Sequence, residues 1–222
     1  MKPAVSSYSV SVLSRIWLNE ETFELTCSRP RGFLFLAGQY VTLELEGEER
    51  EYTLLSPPES PELRFLIKQV VGGKLSGALG HIVPGSVLGM SKARGYLTFR
   101  PTDRPVYFVA TGVGIVPFVA MAAGGLRGFT LIHGSRSESG FFYRQELAAA
   151  SLEYIPCLSG TSKLATGPPS LYRGYVTEYI RTHLLPGTYD FYLCGSRLMI
   201  RDMTHLLDQY HPGTRIFSEA YS

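Results

Sequence analysis

The rhythm of the chain changes across Arg100-Pro101-Thr102-Asp103-Arg104-Pro105, and this change narrows the possible folds more than any other feature. Before it, YSVSVLSRIWL, FELTCSRP, GQYVTLELEG, REYTLLSPP, RFLIKQVV and SVLGMSKARGYLTF are alternating or β-rich runs set off by Gly and Pro. That is the spacing of a barrel or a sandwich. One short helix is predicted there, in KLSGALGHIV after Gly72-Gly73. Beyond the change, VYFVA leads to a helix from Pro117, FTLIHGS to YRQELAAA, YIPCLSG to YVTEYIRTHL and DFYLCGS to LMIRDMTHLLDQY, ending in RIFSEAY. Strands alternating with helices predict a parallel sheet covered on both faces. The polar, proline-bracketed segment reads as a boundary between domains 1–100 and 101–222, and residues 159–173 read as a surface loop.

Composition excludes several classes. Of 222 residues 45% are hydrophobic and 18% charged, with 14 Tyr and 12 Phe, too apolar and aromatic for a disordered chain. The net charge of +2 is spread evenly over the two halves, which argues against a nucleic-acid binder working through phosphate neutralisation. Cys27, Cys157 and Cys194 are too widely spaced for a metal knuckle and too few for a four-cysteine iron–sulfur cluster. Their odd number, without an apolar leader segment, points to a reducing, cytoplasmic setting. Val106 to Leu126 carries no charge and reaches the length of a membrane span. However, Gly112, Gly114, Pro117, Gly124 and Gly125 interrupt it, so a buried strand, a turn and a helix are expected instead. None of His81, His133, His183, His205 and His211 forms a metal-like pair, and all five are read as surface or structural residues, with no metal site.

Thr111-Gly112-Val113-Gly114-Ile115-Val116-Pro117 lies where a predicted strand becomes a predicted helix. Glycines there let the backbone approach a pyrophosphate, and the helix start offers unpaired N–H groups and partial positive charge. The third glycine of the dinucleotide fingerprint is replaced by Pro117, which suits the first turn of a helix. A tight strand-to-helix turn with no ligand would also want these glycines.

The context comes from motifs in a fixed order. Gly38-Gln39-Tyr40-Val41, Arg50-Glu51-Tyr52-Thr53, Gly73-Lys74-Leu75-Ser76, the Gly112 turn, Cys194-Gly195-Ser196-Arg197-Leu198-Met199 and Phe217-Ser218-Glu219-Ala220-Tyr221 together resemble the ferredoxin–NADP reductase superfamily over nearly the whole chain. The resemblance implies a six-stranded antiparallel Greek-key β-barrel for FAD, followed by a Rossmann-like parallel α/β domain for a nicotinamide nucleotide. It implies that Arg50 pairs with flavin phosphates, Tyr52 stacks on the isoalloxazine and Thr53 hydrogen-bonds N5. Gly73, Lys74, Leu75 and Ser76 would hold the FAD pyrophosphate at a helix start, and the strand carrying Lys68 would run beside the flavin. Thr111, Gly112, Gly114 and Pro117 would serve the dinucleotide, with Ser135 and Arg136, and with Cys194, Gly195 and Met199. Cys194 would lie near the nicotinamide, Tyr221 would cover the other flavin face, and Glu219 would stand near the redox centre.

The chain departs from the family at positions that matter for nucleotide choice. Two arginines that grip the 2′-phosphate in the NADP-using branch are replaced at Ser159-Gly160 and Gly174-Tyr175, while Arg136, Lys163 and Arg173 remain nearby. NADH is therefore slightly favoured over NADPH. The Gly-Pro-x-Gly segment near the barrel's end reads Lys92-Ala93-Arg94-Gly95. The function expected is an FAD enzyme that takes a hydride from NAD(P)H and passes single electrons to a separate ferredoxin, flavodoxin or other small carrier. The alternatives are a reductase of free flavin and a non-catalytic nucleotide-binding regulatory subunit.

Overall fold

The computed structural model of the protein describes residues 7–160 and 171–221. Two compact units emerge, one of Met1–Phe99 with Val116–Gly124, the other of Arg100–Ile115 with Gly125–Ser222.

The first unit is a six-stranded antiparallel sheet of β1 (Tyr8–Trp17), β2 (Thr22–Ser28), β3 (Tyr40–Leu45), β4 (Glu48–Thr53), β5 (Glu62–Lys68) and β6 (Val87–Met90). Its order is β4-β3-β6-β1-β2-β5, so the β2–β3 and β5–β6 connections cross the sheet in Greek-key fashion. The edges nearly close into a barrel, because Leu55 N–H donates to the Arg64 carbonyl at 2.8 Å just beyond β4. Alternation explains the inside: Phe23, Leu25 and Cys27 on β2 and Leu63, Phe65 and Ile67 on β5 are all fully buried. Each large apolar side chain so buried contributes roughly 1.5–3 kcal/mol. The run predicted as a strand to Phe99 is shorter than expected. β6 ends at Met90, after which Ser91 N–H donates to the Thr42 carbonyl and an isolated Tyr40–Arg94 bridge continues the pairing, and Gly95 turns with a φ of 105°.

Helix α1 (Lys74–Leu79) buries Leu75 and Leu79 in the barrel core. With six residues it has little stability of its own. The Arg15 guanidinium on β1 supplies what the sequence of the helix lacks, donating to the carbonyls of Gly80 at 2.6 Å and Ile82 at 3.1 Å.

The second unit is a parallel sheet of β7 (Val106–Thr111), β8 (Phe129–Ser135), β9 (Glu153–Leu158), β10 (Tyr172–Arg173), β11 (Asp190–Ser196) and β12 (Arg215–Tyr221) in the order β10-β9-β8-β7-β11-β12. The uncharged stretch resolves as expected into buried β7, a tight 3₁₀ turn over Gly112–Ile115 and helix α2 (Val116–Ala123), whose first seven residues are buried. Among the described residues no helix is long and apolar enough to cross a membrane. Helices α3 (Arg144–Ala150), α4 (Val176–His183) and α5 (Arg197–Tyr210) complete the chain. α4 and α5 cover one sheet face, packing Ile180, Met203 and Leu207 with Val109, Ile132 and Leu193. On the other face Phe108, Phe129 and Tyr192 are buried, Phe108 stacking on Phe129 and meeting Tyr192 edge to face. The two-residue strand β10 was not expected; it adds to β9 inside the segment read as a loop. At the amino ends of the sheet, Asp190 is fully buried and accepts from Arg215 Nε at 2.7 Å, with Arg215 also bonding Thr102 at 2.9 Å.

Candidate functional site

The strand order reverses between β7 and β11, and parallel sheets collect ligands at the carboxyl ends of strands at such a point. Thr111-Gly112 ends β7 and Gly195-Ser196 ends β11. Here the two chain segments touch backbone to backbone. A Cβ on Gly114 would collide with the Cys194 carbonyl and stand 2.6 Å from Gly195 Cα. One on Gly195, whose φ is +135°, would collide with Thr111 Oγ1 and stand 2.9 Å from Thr111 O. Thr111 Oγ1 accepts from Ser196 N–H at 3.1 Å, which locks the contact. By contrast, Gly112 has a φ of +56° and nothing within 4 Å of where a Cβ would be, so its face is open. No acidic residue stands in the first turn of the 3₁₀ segment or of α2 to compete for an anion. This glycine cradle and its N–H donors fit the pyrophosphate of a dinucleotide. Pro117 is buried in the first turn of α2 and has no N–H, so it shapes the turn without donating to a ligand.

Cys194 is fully buried. Burial pushes its thiol far above the ordinary range, the Glu219 carboxylate adds to the rise, and a hydrogen bond with Tyr221 offsets part of it. The thiol therefore stays protonated and is no nucleophile. Strand register brings the three together, with Cys194 opposite Glu219 and Ser196 opposite Tyr221. Met199 is turned into the core, and its N–H is taken by the Ser196 hydroxyl at 3.2 Å. Ser196 is thus the N-cap of α5 as well as the partner of Thr111, a double role missed in the sequence although a Ser before a predicted helix signals a cap.

At the ends of β8 and β9 the structure explains an absent side chain. A Cβ on Gly160 would collide with the Arg136 carbonyl oxygen and stand 3.0 Å from its carbon, so the close approach of these loops excludes an arginine there. Ser159 N–H donates to Ser135 O at 2.9 Å and holds that approach. The Ser135 hydroxyl is engaged locally, donating to Ser137 O at 2.7 Å. Arg136, Arg173 and Tyr175 are exposed, and Tyr175 N–H donates to the Glu178 carboxylate at 3.1 Å. Lys163 lies outside the described residues.

In the barrel, Arg50 and Tyr52 alternate onto one face of β4, opposite Leu43 and Val41 of β3. Arg50 is exposed and donates to Glu49 O at 2.6 Å. Tyr52 packs on the core, and burial pushes its phenol up to about 12 against the pull of Arg50, so it is a neutral, flat surface. Thr53 is buried at the strand's end. α1 lies beside β4, and Lys74 Nζ is 2.8 Å from Glu48 Oε1. Ser76, expected at the pyrophosphate, is buried, and its hydroxyl accepts from Val70 N–H at 3.2 Å, which leaves the hydroxyl hydrogen to donate. Leu75 points into the core, leaving only its backbone to serve a ligand, and Lys68 pairs with Glu21 at 2.9 Å. The Gly73 N–H is taken by the Val70 carbonyl at 2.9 Å, so the donors left at the start of α1 are the Lys74 and Leu75 N–H groups, and with Arg50 and Tyr52 of the neighbouring β4 this set fits a flavin nucleotide's ring and phosphates. Of the five histidines, His133 and His211 are buried and the others exposed. Among the described residues no cluster of His, Cys, Asp or Glu could hold a metal ion.

Comparison with known proteins matches residues 8–99 to the family model "Oxidoreductase FAD-binding domain" and residues 108–205 to "Oxidoreductase NAD-binding domain". Ferredoxin–NADP reductase B of Sorangium cellulosum is 37% identical over 175 residues, covering 71% of this chain and 70% of that protein. The toluate 1,2-dioxygenase electron transfer component of Pseudomonas putida is 30% identical over 219 residues, 93% of this chain and 65% of that protein, so the chain spans less than two thirds of that relative. A solved ferredoxin NADP+ reductase of Neisseria gonorrhoeae shares the fold with a TM-score of 0.84 at 21% identity, over 96% of this chain and 98% of that one. An antiparallel barrel matched to the first model, a parallel sheet matched to the second, and a relative 37% identical over 175 aligned residues make the chain a member of the ferredoxin–NADP reductase-like FAD/NAD(P)-binding superfamily.

Proposed function

We propose that the protein is a flavoenzyme that oxidises NAD(P)H and delivers electrons to a separate ferredoxin, flavodoxin or similar small carrier in the cytoplasm, with residues 1–100 binding FAD and residues 101–222 binding the nicotinamide nucleotide. The observation that carries this reading is the glycine cradle at the β7–β11 reversal, where Gly114 and Gly195 permit backbone contact and Gly112 stays open. Bound FAD supplies the chemistry, accepting a hydride at N5 and releasing electrons singly.

The chain's residues bind and orient. Arg50 offers a fork for flavin phosphate, Tyr52 a neutral platform and Thr53 a hydroxyl for the ring, while the turn at Gly73 presents the N–H groups of Lys74 and Leu75 and the Ser76 hydroxyl to the pyrophosphate. The backbone of the strand bearing Lys68 lines the flavin. Thr111, Gly112 and Gly114, shaped by Pro117, hold the dinucleotide, and Ser135 and Arg136 face its ribose. Cys194, Gly195, Glu219 and Tyr221 frame the nicotinamide, with Cys194 keeping its proton. Met199 supports this frame from within the core. NADH is favoured slightly, because Gly160 and Gly174-Tyr175 bring no cation to a 2′-phosphate.

Anaerobic addition of NADH, and separately NADPH, to desalted protein tests the whole reading by absorbance. A yellow protein bleached by NADH at least as fast as by NADPH supports it. A colourless protein that oxidises NADH only with added flavin replaces it by a free-flavin reductase, and nucleotide binding without bleaching removes the enzyme reading.

A further inference from the structure

His133 was read from the sequence as a surface or structural residue, and the structure places it under the Gly112 turn. It sits on β8 in register with Ala110 of β7, one position before the turn-bearing end, and is fully buried. Its Nδ1 is 2.9 Å from the hydroxyl of Tyr154 on β9. Its Nε2 is buried without a hydrogen-bond partner, and the register of β8 with β7 sets the ring near the Gly112 backbone, which acts on its electrostatics. Phe141 closes the ring's other side edge-on, with centroids 5.3 Å apart. The strand cannot draw back either, because a Cβ on the next residue, Gly134, would already stand 2.9 Å from Val176 Cγ1 and 3.1 Å from Thr111 Cγ2.

We infer that His133 is a positioning residue for nucleotide binding: with Tyr154 fixing its tautomer, it presents an Nε2–H to the Gly112 carbonyl and thereby sets the peptide that faces the pyrophosphate. This rests on the reading that the Gly112 turn binds NAD(P)H. The tautomer follows from the partners. A carbonyl can only accept, so an Nε2 directed at the Gly112 carbonyl carries the ring hydrogen, and Nδ1 is then left to accept from the Tyr154 hydroxyl, which burial keeps protonated. Burial also lowers the His133 pKa to about 3, against a smaller opposing effect of the Gly112 backbone, so the ring stays neutral and carries one hydrogen. The Gly112 carbonyl and the Val113 N–H belong to one peptide unit. A hydrogen bond donated to that carbonyl polarises the unit and strengthens its N–H as a donor to an anion. The unmade bond is therefore completed when the turn tightens on a pyrophosphate, and the buried nitrogen gains its partner only in the occupied state.

The experiment measures the dissociation constant for NAD+ by calorimetry on FAD-loaded protein, together with KM and kcat for NADH and the melting temperature. His133→Phe, which keeps a buried ring without nitrogens, is expected to raise both the dissociation constant and KM about 10-fold while kcat stays within about 2-fold, the loss of one buried donor. His133→Gln, which sets an amide N–H where Nε2 stands, is expected to remain within about 3-fold of the parent. Tyr154→Phe, which frees the tautomer, is expected to weaken NAD+ about 3-fold. Unchanged NAD+ binding in Tyr154→Phe overturns the inference whether or not His133→Phe folds, and so does equal weakening by Phe and Gln at His133. A parent protein that binds neither NAD+ nor NADH fails at the reading beneath it, whereas a binding parent with unaffected variants defeats the role of His133 alone.

Discussion

In the barrel, several residues expected to meet the flavin carry side chains that the fold already employs, Lys68 with Glu21, Lys74 with Glu48, and Ser76 with the Val70 amide. In the parallel unit, three of the nine residues expected to meet the nucleotide are glycines, and the space left by two of them, Gly114 and Gly195, is taken by neighbouring chain while Gly112 stays open. The first kind of surface tolerates change at each position, since an exposed side chain can be exchanged and backbone donors stay. The second kind does not, because one added carbon moves two strands. The comparison teaches that sensitivity to substitution follows from backbone approach more than from the presence of a charged group.

Gly195→Ala should break this contrast most severely if it is wrong. Its φ of +135° and the collision with Thr111 predict a loss of at least about 3 kcal/mol in urea unfolding and no measurable NADH binding. A stable, binding variant would remove the close-approach argument. Gly160→Arg comes next. Restoring the family's side chain against the Arg136 carbonyl should cost roughly 2–3 kcal/mol and give no gain in NADPH over NADH, whereas a stable variant preferring NADPH would show that the loop yields.

Asp190 offers a test by pH. Burial raises its pKa, but hydrogen bonds from Arg215 and Thr102 and the charges of Arg215 and Arg104 outweigh that and hold it below the usual value. Its folded pKa thus lies below that of the unfolded chain. The stability it contributes is complete above about pH 4 and is lost as pH falls through the folded value. Melting curves of Asp190→Asn should lie about 2 kcal/mol below the parent at pH 7 and approach it in acid; a constant gap would refute this. In the barrel, Arg15→Ala should cost about 1–2 kcal/mol and release FAD on desalting, because the guanidinium caps α1. Lys68→Ala should change stability by no more than about 0.5 kcal/mol and leave FAD content intact, as an exposed ion pair over a working backbone implies.

Period and punctuation made the architecture legible. Alternation marked the barrel strands, and Gly112 with Pro117 marked the turn from β7 into α2. Boundaries within irregular chain were not legible: the run after Met90 has strand composition but is released from pairing by the Arg94-Gly95 turn. Among the site residues, Gly114 and Gly195 were found because close approach leaves a glycine, which is visible as a letter. Ser76, Leu75 and Met199 were assigned by motif position, and only the fold shows that a loop amide and two cores already occupy them. His133 gave no signal, since a histidine inside an apolar strand has the same letters whether it is inert or placed under a turn. Its meaning depends on Tyr154, 21 residues away, and on a register that sequence spacing does not state.

The contact between Gly160 and the Arg136 carbonyl also has an evolutionary consequence. A lineage of such chains cannot acquire a 2′-phosphate grip at residue 160 by one substitution, because the intermediate with an unmoved Arg136 loop is poorly folded. The loop must shift first, with no benefit of its own, so any drift in nucleotide preference is channelled toward exposed positions such as Tyr175.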